Sequence, residues 1–352
     1  MNRFDYARSS SVDDALRAIR QVPVMVDSLA EEPLGTDPPM KFIAGGTNLL
    51  DLVKENVMHP RLLVDINGLP LDRIQPTAEG GLLLGALARN ADTAYHPLVQ
   101  ERYPLLSAAI LAGASPQLRN MASNGGNLLQ RTRCYYFYDA GVPCNKRQPG
   151  SGCPARGGLN RIHAVLGTSP QCIATHPSDM CVALAALDAV VLVSGPQGDR
   201  RIAFADFHRL PGNRPDIDTT LASDELITGI ALPPEGFARH SAYLKLRDRQ
   251  SYAFALVSVA AALEIDEATG AIREARVALG GVAHKPWRNR EAERGLVGQA
   301  PARGAFEAMA ATVLAEAQGH GHNDFKIPLA QRAIVRTLER ASGMADGGGA
   351  VT

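Results

Sequence analysis

Four of the five cysteines in this 352-residue chain lie within one stretch of about forty residues. The run "RCYYFYDAGVPCNKRQPGSGC" contains Cys134, Cys144 and Cys153, and Cys172 follows, so the spacing is C-x9-C-x8-C-x18-C. Residues 131–172 show almost no hydrophobic periodicity, and so long a connection inside a compact domain is usually functional or disordered. Thiols collected there could bind a metal ion or a cluster, or could pair as disulfides.

Three interpretations of these thiols remain open from the residues alone. Structural zinc sites usually use short C-x2–4-C pairs, which this spacing lacks. Disulfides require an oxidising compartment. A [4Fe–4S] cluster accepts irregular spacing, and its negative charge is costly to bury without nearby cations. Against the single acid Asp139, the segment 131–163 supplies Arg131, Arg133, Lys146, Arg147, Arg156 and Arg161. We therefore favour a cluster with all four thiols as ligands.

Other potential ligands are interpreted as structural. Cys181 lies on the apolar face of a predicted helix, "DMCVALAAL", and is expected to be a buried core cysteine. His163 and His176 are expected to be polar histidines with satisfied hydrogen bonds. The run "GHGH" at 319–322 has no other ligand group nearby, so no metal site is predicted there.

Two double glycines are candidates for anion binding. Gly45 and Gly46 follow an apolar strand predicted at residues 41–44, and glycine allows consecutive backbone N–H groups to converge on a phosphate. Gly125 and Gly126 repeat the flanking pattern, "GGNLL" against "GGTNLL". Two such nests could hold the two ends of one pyrophosphate, and tight structural turns are the alternative. Neither is a GxGxxG fingerprint.

Five motifs in order make the sequence recognisable: "FIAGGTNLL", "GASPQLRNMASNGGNLL", "HPSDMCVALAALDAVV", "ELITGIALP" and "AYLKLR". Together they resemble the FAD-binding subunit of the molybdenum hydroxylase (xanthine dehydrogenase) family over nearly the whole chain. The resemblance implies an α+β chain with the two-subdomain FAD-binding fold of the vanillyl-alcohol-oxidase-like (PCMH) type. A C-terminal domain with a three-stranded antiparallel sheet and helices would follow it.

The same resemblance implies which residues bind FAD. The first glycine loop would hold the pyrophosphate and the second the other phosphate and the ribityl chain. Asp179 would bond the ribityl chain, although an N-cap is the alternative for it. Ile227 would pack beside the flavin ring and Lys245 would lie near it, although Lys245 could also be a solvated charge. The full predicted set is Phe42, Ile43, Ala44, Gly45, Gly46, Thr47, Asn48, Leu49, Gly113, Ser123, Asn124, Gly125, Gly126, Asn127, Asp179, Ile227 and Lys245.

The cysteine stretch interrupts the family pattern, because most members run almost directly from the second GGN to the SDM helix. It resembles the insert of the flavin subunit of periplasmic aldehyde oxidoreductases and, more loosely, that of 4-hydroxybenzoyl-CoA reductase. Both imply a [4Fe–4S] cluster on Cys134, Cys144, Cys153 and Cys172 beside the FAD.

The implied function is electron transfer within a heterotrimer. A large molybdenum-cofactor subunit would oxidise an aldehyde, a small [2Fe–2S] subunit would deliver the electrons, and FAD in this chain would pass them to an external acceptor. No catalytic residue for the substrate is therefore expected here. A reductase acting on an aromatic CoA thioester, or a disulfide-containing scaffold protein, is the alternative.

Composition and charge exclude other classes. The 36 basic and 36 acidic residues cancel, so no global charge indicates nucleic acid or an anionic membrane. The N-terminus is interpreted as neither a secretory signal nor an anchor, and no run reaches the roughly 18 apolar residues of a membrane span. A soluble protein is therefore expected, either periplasmic by co-export with a signal-bearing partner or cytoplasmic.

The expected domains are residues 1–235 with the insert at 131–172, residues 240–341, and a disordered tail at 342–352. Helical patterns predict a first helix capped by Ser11, a helix over about 95–112, and C-terminal helices near 303–318 and 328–341.

Overall fold

The computed structural model describes residues 2–21 and 38–344. The helices are α1 (Val12–Ala18), α2 (Leu49–Lys54), α3 (Asn90–Tyr95), α4 (Pro97–Arg102), α5 (Pro104–Ala112), α6 (Pro116–Arg119), α7 (Asn124–Leu128), α8 (Tyr135–Tyr138), α9 (Asp179–Ala186), α10 (Phe204–Phe207), α11 (Arg290–Arg294), α12 (Arg303–Val313) and α13 (Lys326–Ala341). The strands are β1 (Asp5–Arg8), β2 (Met40–Ile43), β3 (Leu62–Asp65), β4 (Ile74–Pro76), β5 (Leu82–Gly85), β6 (Val190–Gly195), β7 (Gly198–Ala203), β8 (Leu226–Leu232), β9 (Ser241–Leu246), β10 (Val257–Ile265), β11 (Ile272–Gly280) and β12 (Trp287–Arg288).

The N-terminal subdomain is a three-stranded parallel sheet in the order β1-β3-β2. Helix α1 packs on it through Ala15 and Leu16, which are buried with Val64 in one apolar cluster. The predicted cap is confirmed, because the Ser11 hydroxyl accepts the backbone N–H of Asp14 at 3.1 Å. The predicted helical position Val22 lies outside the described residues.

The second subdomain is a five-stranded antiparallel sheet in the order β4-β5-β8-β6-β7, covered by helices α3 to α5 and α9. These two subdomains confirm the predicted two-subdomain fold class. The single helix expected at about 95–112 is wrong, because α3 ends at Tyr95 and the region that follows forms two short helices, α4 and α5. Pro97 and Pro104 each begin one of them, since proline fits a first helical turn but breaks an interior.

The C-terminal sheet has the order β12-β11-β10-β9, so the predicted three-stranded meander gains a short fourth strand. Strand β10 is buried on both faces, which explains its uninterrupted apolar run. Val259 and Ala261 face the cluster that includes α12 and α13, whereas Ala260 and Ala262 face the cluster that includes α5 and α9. The sheet therefore packs directly against the second subdomain.

The predicted C-terminal helices are confirmed with altered ends, at α12 and α13. Of the tail expected to be disordered, residues 342–344 form a turn at the end of α13, and the remainder lies outside the described residues. Among the described residues, none of the helices has the length and apolar character needed to cross a bilayer.

The hairpin between β10 and β11 gives a test by pH. In its turn, Asp266 accepts the backbone N–H groups of Ala268 and Thr269 at 3.0 and 2.7 Å and contacts Arg273. The Thr269 N–H bond is the largest cause that lowers the pKa of Asp266 to about 2, from 3.8. Because the folded-state pKa is the lower one, the charged form stabilises the fold above about pH 4, and that stability is lost as the pH falls toward 2.

We therefore expect Asp266→Asn to lower the melting temperature at neutral pH, and the difference from wild type to shrink between pH 4 and pH 2. Thermal unfolding of both proteins across this range measures it. A difference that does not change with pH would contradict the assignment.

Candidate functional site

A cavity of about 1150 Å³ lies where the two N-terminal subdomains, the cysteine insert and the C-terminal sheet meet. Every residue of the predicted FAD-binding set lines it except Asn124 and Lys245. Its size is suited to a ligand larger than most drug-like molecules, whose pockets span about 300–1,000 Å³.

The first glycine loop has the geometry of an anion cradle. It begins directly after β2, and Gly46 has φ of +72°, in the left-handed region that favours glycine. A Cβ on Gly45 would lie 1.9 Å from the Met121 carbonyl oxygen, so only glycine allows this loop to touch the second one. Among the described residues, the N–H groups of Gly45, Gly46, Thr47 and Asn48 donate to no backbone carbonyl. They are therefore available to a phosphate.

The second glycine loop differs from the expected second nest. It forms the short helix α7, capped by the Ser123 hydroxyl, which accepts the N–H of Gly126 at 3.3 Å. The N–H groups of Asn124 and Gly125 already donate to the carbonyls of Ala88 and Ala86, at 3.0 and 2.8 Å. This loop therefore contributes surface to the cavity but few free donors.

The two asparagines of that loop are engaged in a buried polar network. Asn124 is fully buried, and its amide donates to the Gly85 carbonyl and the Thr93 hydroxyl. Asn127 donates to Asn90 and accepts the hydroxyl of Ser178, which caps α9. The network fixes the loop against the beginning of α9. The Asn124 side chain consequently points away from the cavity.

Asp179 is the first residue of α9 rather than its cap, so the N-cap alternative is wrong. Its carboxylate accepts the Tyr243 hydroxyl at 2.6 Å and the Lys245 ammonium at 2.8 Å. Tyr243 and Lys245 alternate along β9 and so share the face toward α9. Lys245 also donates to the Ala112 carbonyl at 3.0 Å. The solvated-charge alternative for Lys245 is therefore wrong.

This ion pair is almost fully removed from water, since the Lys245 and Asp179 side chains are 4% and 6% exposed. Burial, followed by the adjacent Asp179 charge, raises the pKa of Tyr243 well above its usual value, so the phenol stays a donor. A Cβ on Gly113 would lie 3.2 Å from the Asp179 carboxylate. Gly113 thus leaves space beside the carboxylate at the cavity wall.

The four insert cysteines line one small second cavity and all carry free thiols. The predicted convergence of Cys134, Cys144, Cys153 and Cys172 is therefore seen in the structure. Three of them lie in an apolar cluster with residues of α2 and α8. Burial raises the pKa of Cys134 to about 12 and that of Cys172 to about 11.

The sulfurs are too far apart for a single ion. A tetrahedral zinc ion with Zn–S bonds of about 2.3 Å brings its sulfurs to roughly 3.8 Å from one another. No three of the insert thiols are among the described metal-ligating groups whose atoms all lie within 4.8 Å. The four cysteines instead line a common cavity of about 10 Å³.

The cations of the insert serve a different purpose from the one expected. Arg133 pairs with Asp51, Arg161 with Asp248, and Lys146 with Asp218, all acids outside the insert. Arg147 donates to backbone carbonyls within the insert instead. Most of the positive charge therefore fastens the insert to the body of the chain. Lys146 still acts on the thiols, because its charge opposes the burial that raises the pKa of Cys172.

Lys146 is the centre of this attachment and is almost fully buried. Its ammonium donates to the Pro215 carbonyl, the Asp218 carboxylate and the Nε2 atom of His284, at 2.7, 2.5 and 2.6 Å. Nδ1 of His284 lies 2.8 Å from the Arg209 carbonyl and donates to it. Burial lowers the pKa of His284 to about 4, which keeps that ring neutral. The insert, the segment 209–218 and the C-terminal domain meet at this amine.

Histidines in and beside the insert depart from expectation. Nε2 of His163 lies 3.0 Å from the Cys134 sulfur, but its buried Nδ1 has no partner among the described residues, so the predicted satisfaction holds for one nitrogen only. Both ring nitrogens of the buried His176 make no hydrogen bond to any described residue. The prediction that His176 is satisfied is therefore wrong. Its neighbour His208, which sequence reasoning missed, has an unpartnered Nδ1.

Two further segments of the cavity wall were not predicted. Residues 216–219 and 252–256 both line it, and Tyr252 and Phe254 are each at least half exposed at its edge. Neither segment has hydrophobic periodicity or a recognisable motif. The one local signal was the basic and then small, apolar character of "RDRQSYAFALVSVA".

Comparison with known proteins agrees with this geometry. Residues 2–235 match the family described as the FAD-binding domain in molybdopterin dehydrogenase, and residues 241–341 match the CO dehydrogenase flavoprotein C-terminal domain. The aldehyde oxidoreductase FAD-binding subunit PaoB of Escherichia coli is 52% identical over 323 residues, 91% of this chain and 98% of that protein.

More distant proteins share the same length and fold. The glyceraldehyde dehydrogenase medium chain of Sulfolobus acidocaldarius is 27% identical over 84% of this chain and 82% of its own. A chain in the solved structure of carbon monoxide dehydrogenase from Hydrogenophaga pseudoflava superposes with a TM-score of 0.73 at 25% identity. That superposition covers 97% of this chain and 98% of the other.

The buried ion pair at the cavity wall gives a test. Lys245→Met should leave the Asp179 carboxylate buried without a counter-ion, which costs about 3–5 kcal/mol in free energy of unfolding. The double variant Asp179→Asn, Lys245→Met removes both charges and should recover much of that loss. Chemical denaturation of the three proteins measures the difference. Equal stability of the wild type and the single variant would contradict the pairing.

Proposed function

Because the chain belongs to the family of FAD-binding subunits of molybdenum hydroxylases, we propose that it is the electron-transfer subunit of a molybdenum-dependent aldehyde oxidoreductase. The 52% identity to an aldehyde oxidoreductase FAD-binding subunit over nearly its full length supports the aldehyde class. The proposed complex adds a large molybdenum-cofactor subunit and a small [2Fe–2S] subunit, with an external electron acceptor.

The observation that carries the proposal is the first glycine loop at the cavity wall. The loop presents N–H groups that no backbone carbonyl within residues 2–21 and 38–344 accepts, those of Gly45, Gly46, Thr47 and Asn48. Phosphate oxygens bound there would accept hydrogen bonds from those donors. A side chain at Gly45 would clash with the Met121 carbonyl oxygen and push the loop away from it. The residues present therefore fit a dinucleotide cofactor whose pyrophosphate rests on this loop.

The other predicted residues would position the remainder of FAD. Asp179 is held by Tyr243 and Lys245, so its carboxylate has a fixed orientation beside Gly113. Ile227 is buried and packs near Gly125, where it can support an aromatic ring. When bound, FAD supplies the ability to take up single electrons and release them in pairs, and the protein sets its position and electrostatics.

We also propose that Cys134, Cys144, Cys153 and Cys172 hold a [4Fe–4S] cluster. The support for this proposal is that four free thiols line one cavity, while no three of their sulfurs all lie within 4.8 Å of one another, which disfavours a single ion. The contact of His163 with the Cys134 sulfur can supply a hydrogen bond to a thiolate, which is one way proteins tune cluster potentials. The buried positive charge of Lys146 also acts on Cys172, because it opposes the rise in the pKa of that thiol that burial causes.

The described cavity wall offers N–H groups that can bind an anion and a carboxylate of fixed orientation, which suit a cofactor. The substrate is therefore proposed to react on the large partner subunit and not in this chain. The division into residues 1–235 and 240–341, and co-export to the periplasm with a signal-bearing partner, are parts of the same proposal.

Metal and flavin content of the purified complex test the proposal as a whole. The chain, isolated anaerobically with the subunits that co-elute, should contain FAD, iron beyond that of the partner's clusters, and molybdenum in the complex. Absence of FAD would refute the main proposal. FAD without the additional iron would refute only the cluster.

Gly46→Val should abolish FAD binding. Gly46 has φ of +72°, and its Cβ would approach Leu50 to 3.0 Å, so a branched side chain both strains the loop and displaces its N–H groups. Flavin absorbance per protein measures the loss. The matched control is Gly298→Val. Gly298 has φ of +82°, and a Cβ there would have no described neighbour within 4 Å. Equal flavin content in both variants would contradict the cradle.

Cys153→Ser should remove iron and acid-labile sulfide from this chain while leaving FAD, because an alcohol is a much poorer iron ligand than a thiolate. Cys181→Ser is the matched control, since Cys181 is buried in α9 and outside the thiol cavity. Iron and sulfide analysis with flavin-corrected absorbance distinguishes them. If Cys153→Ser retained all of the iron, Cys153 would not be a ligand of the cluster.

A further inference from the structure

Three buried side chains outside the thiol cavity converge on one point. His176 precedes α9, Cys181 lies in its first turn, and His208 follows α10. One potential ligand atom from each lies within 4.8 Å of the other two. The centroids of the two imidazole rings lie 4.3 Å apart, with the ring planes inclined at 57°. Among the described residues, this is the one group of three or more His, Cys, Asp or Glu side chains whose potential ligand atoms all lie within 4.8 Å of one another.

Three of the four ring nitrogens in this trio have no hydrogen-bond partner among the described residues. They are both nitrogens of His176 and Nδ1 of His208. The Leu128 carbonyl lies near both rings but makes a hydrogen bond of acceptable geometry with His208 alone. Buried polar atoms without partners destabilise the fold. A bound metal ion would accept one lone pair from each ring and so would provide a partner for one nitrogen of each histidine.

The second ring nitrogen of His208 is held in the manner typical of a metal ligand. Nε2 lies 2.9 Å from the Leu128 carbonyl, so it carries the proton and Nδ1 presents its lone pair. Metal-ligating histidines commonly donate their other N–H to a backbone carbonyl, which fixes the tautomer and the ring orientation. Phe204 and Phe207 pack against the same ring and exclude water from that side.

The backbone at the other two residues is equally fixed. The His176 N–H donates to the Ala283 carbonyl at 3.0 Å, and the Cys181 N–H donates to the capping hydroxyl of Ser178 at 3.0 Å. Side-chain rotation alone can therefore bring the donors together. The movement needed is about an ångström, because zinc ligands at bond lengths of about 2.0–2.3 Å lie roughly 3.3–3.8 Å apart.

We propose that His176, Cys181 and His208 bind one zinc ion at the wall of the main cavity. Two imidazole nitrogens and one thiolate are ligands that zinc prefers, and His176 and His208 both line the cavity, which offers an entry path and a fourth ligand position for water. On binding, the Cys181 thiol loses its proton to solvent and its sulfur bonds the ion. The bound ion then carries a single net positive charge.

Burial lowers the pKa of both histidines and keeps the rings neutral, which is the form that binds a metal ion. The proposed ligands also differ from those of the insert, since two imidazoles and one thiol meet here, whereas four thiols line the insert cavity. The zinc ion would join the beginning of α9, which carries Asp179, to the segment after α10. It would therefore be a structural clamp on the cavity wall, and its presence is independent of whether the insert holds a cluster.

The test is zinc analysis of the complex purified without chelators or a histidine tag. Zinc should be present at about one equivalent per copy of this chain, and zinc X-ray absorption should show two nitrogen neighbours and one sulfur. Protein isolated with little zinc should take up one equivalent from a zinc salt in competition with a chromophoric chelator. No uptake, or a sphere made only of sulfur, would overturn the proposal.

Variants locate the ion. His176→Gln and Cys181→Ala should each lose most of the zinc while retaining FAD and iron. The control His96→Gln changes another partly buried histidine with an unpartnered nitrogen and should keep the zinc. Cys153→Ser should lose iron but not zinc. Zinc that follows Cys153 instead of Cys181 would place it in the insert and refute the site, and the titration of the wild type needs no variant to fold.

Discussion

The buried pairing of Asp179 with Lys245 is the interaction on which the architecture of the cavity depends. Two charges that are 6% and 4% exposed can be tolerated only with each other and with further hydrogen bonds, here from Tyr243 and to the Ala112 carbonyl. The pair joins the beginning of α9 to a strand of the C-terminal sheet and to the end of α5. The relative positions of three elements are therefore set by one electrostatic requirement.

A second attachment of the same kind holds the cysteine insert. Lys146, in the insert, is buried against Asp218 and His284, and Asp218 also pairs with Arg131 at 2.5 Å. The insert lacks regular structure apart from short helical turns. Besides these ion pairs, Val165 and Leu166 bury their side chains in the C-terminal core, and both donate backbone N–H groups to the Val282 carbonyl, at 2.9 and 3.0 Å. A cluster bound there would be held at a fixed distance from the main cavity by charges, backbone hydrogen bonds and apolar packing together.

Much of the fold could be predicted from the sequence because local and global signals agree. The Ser11 cap, the apolar strands and the amphipathic C-terminal helices each follow from short-range patterns. The pattern over 95–112 misled because Pro97 and Pro104 fall at helical spacing among apolar residues, yet each must begin a helix. The two residues of β12 are too few to produce a periodic signal.

The site was predicted less evenly. Motifs located the cavity-lining residues and the thiols, but tertiary hydrogen bonds decided what each does. Ser178 rather than Asp179 caps α9, because Asp179 is drawn to Lys245 across 66 residues of sequence. The N–H groups of Asn124 and Gly125 donate to the carbonyls of Ala88 and Ala86. No local sequence pattern reveals these hydrogen bonds. The ring nitrogens of His176 and Nδ1 of His208, which have no partner among the described residues, likewise arise from the meeting of distant segments.

The most direct measurement of the central claim is the response of glycine amides to FAD. With 15N-glycine-labelled protein freed of flavin, re-addition of FAD should shift the Gly45 and Gly46 amide protons strongly downfield, because charged phosphate oxygens become their acceptors. The Gly125 amide, already bonded to the Ala86 carbonyl at 2.8 Å, should change much less. A large downfield shift at Gly125 with Gly45 and Gly46 unchanged would contradict the account.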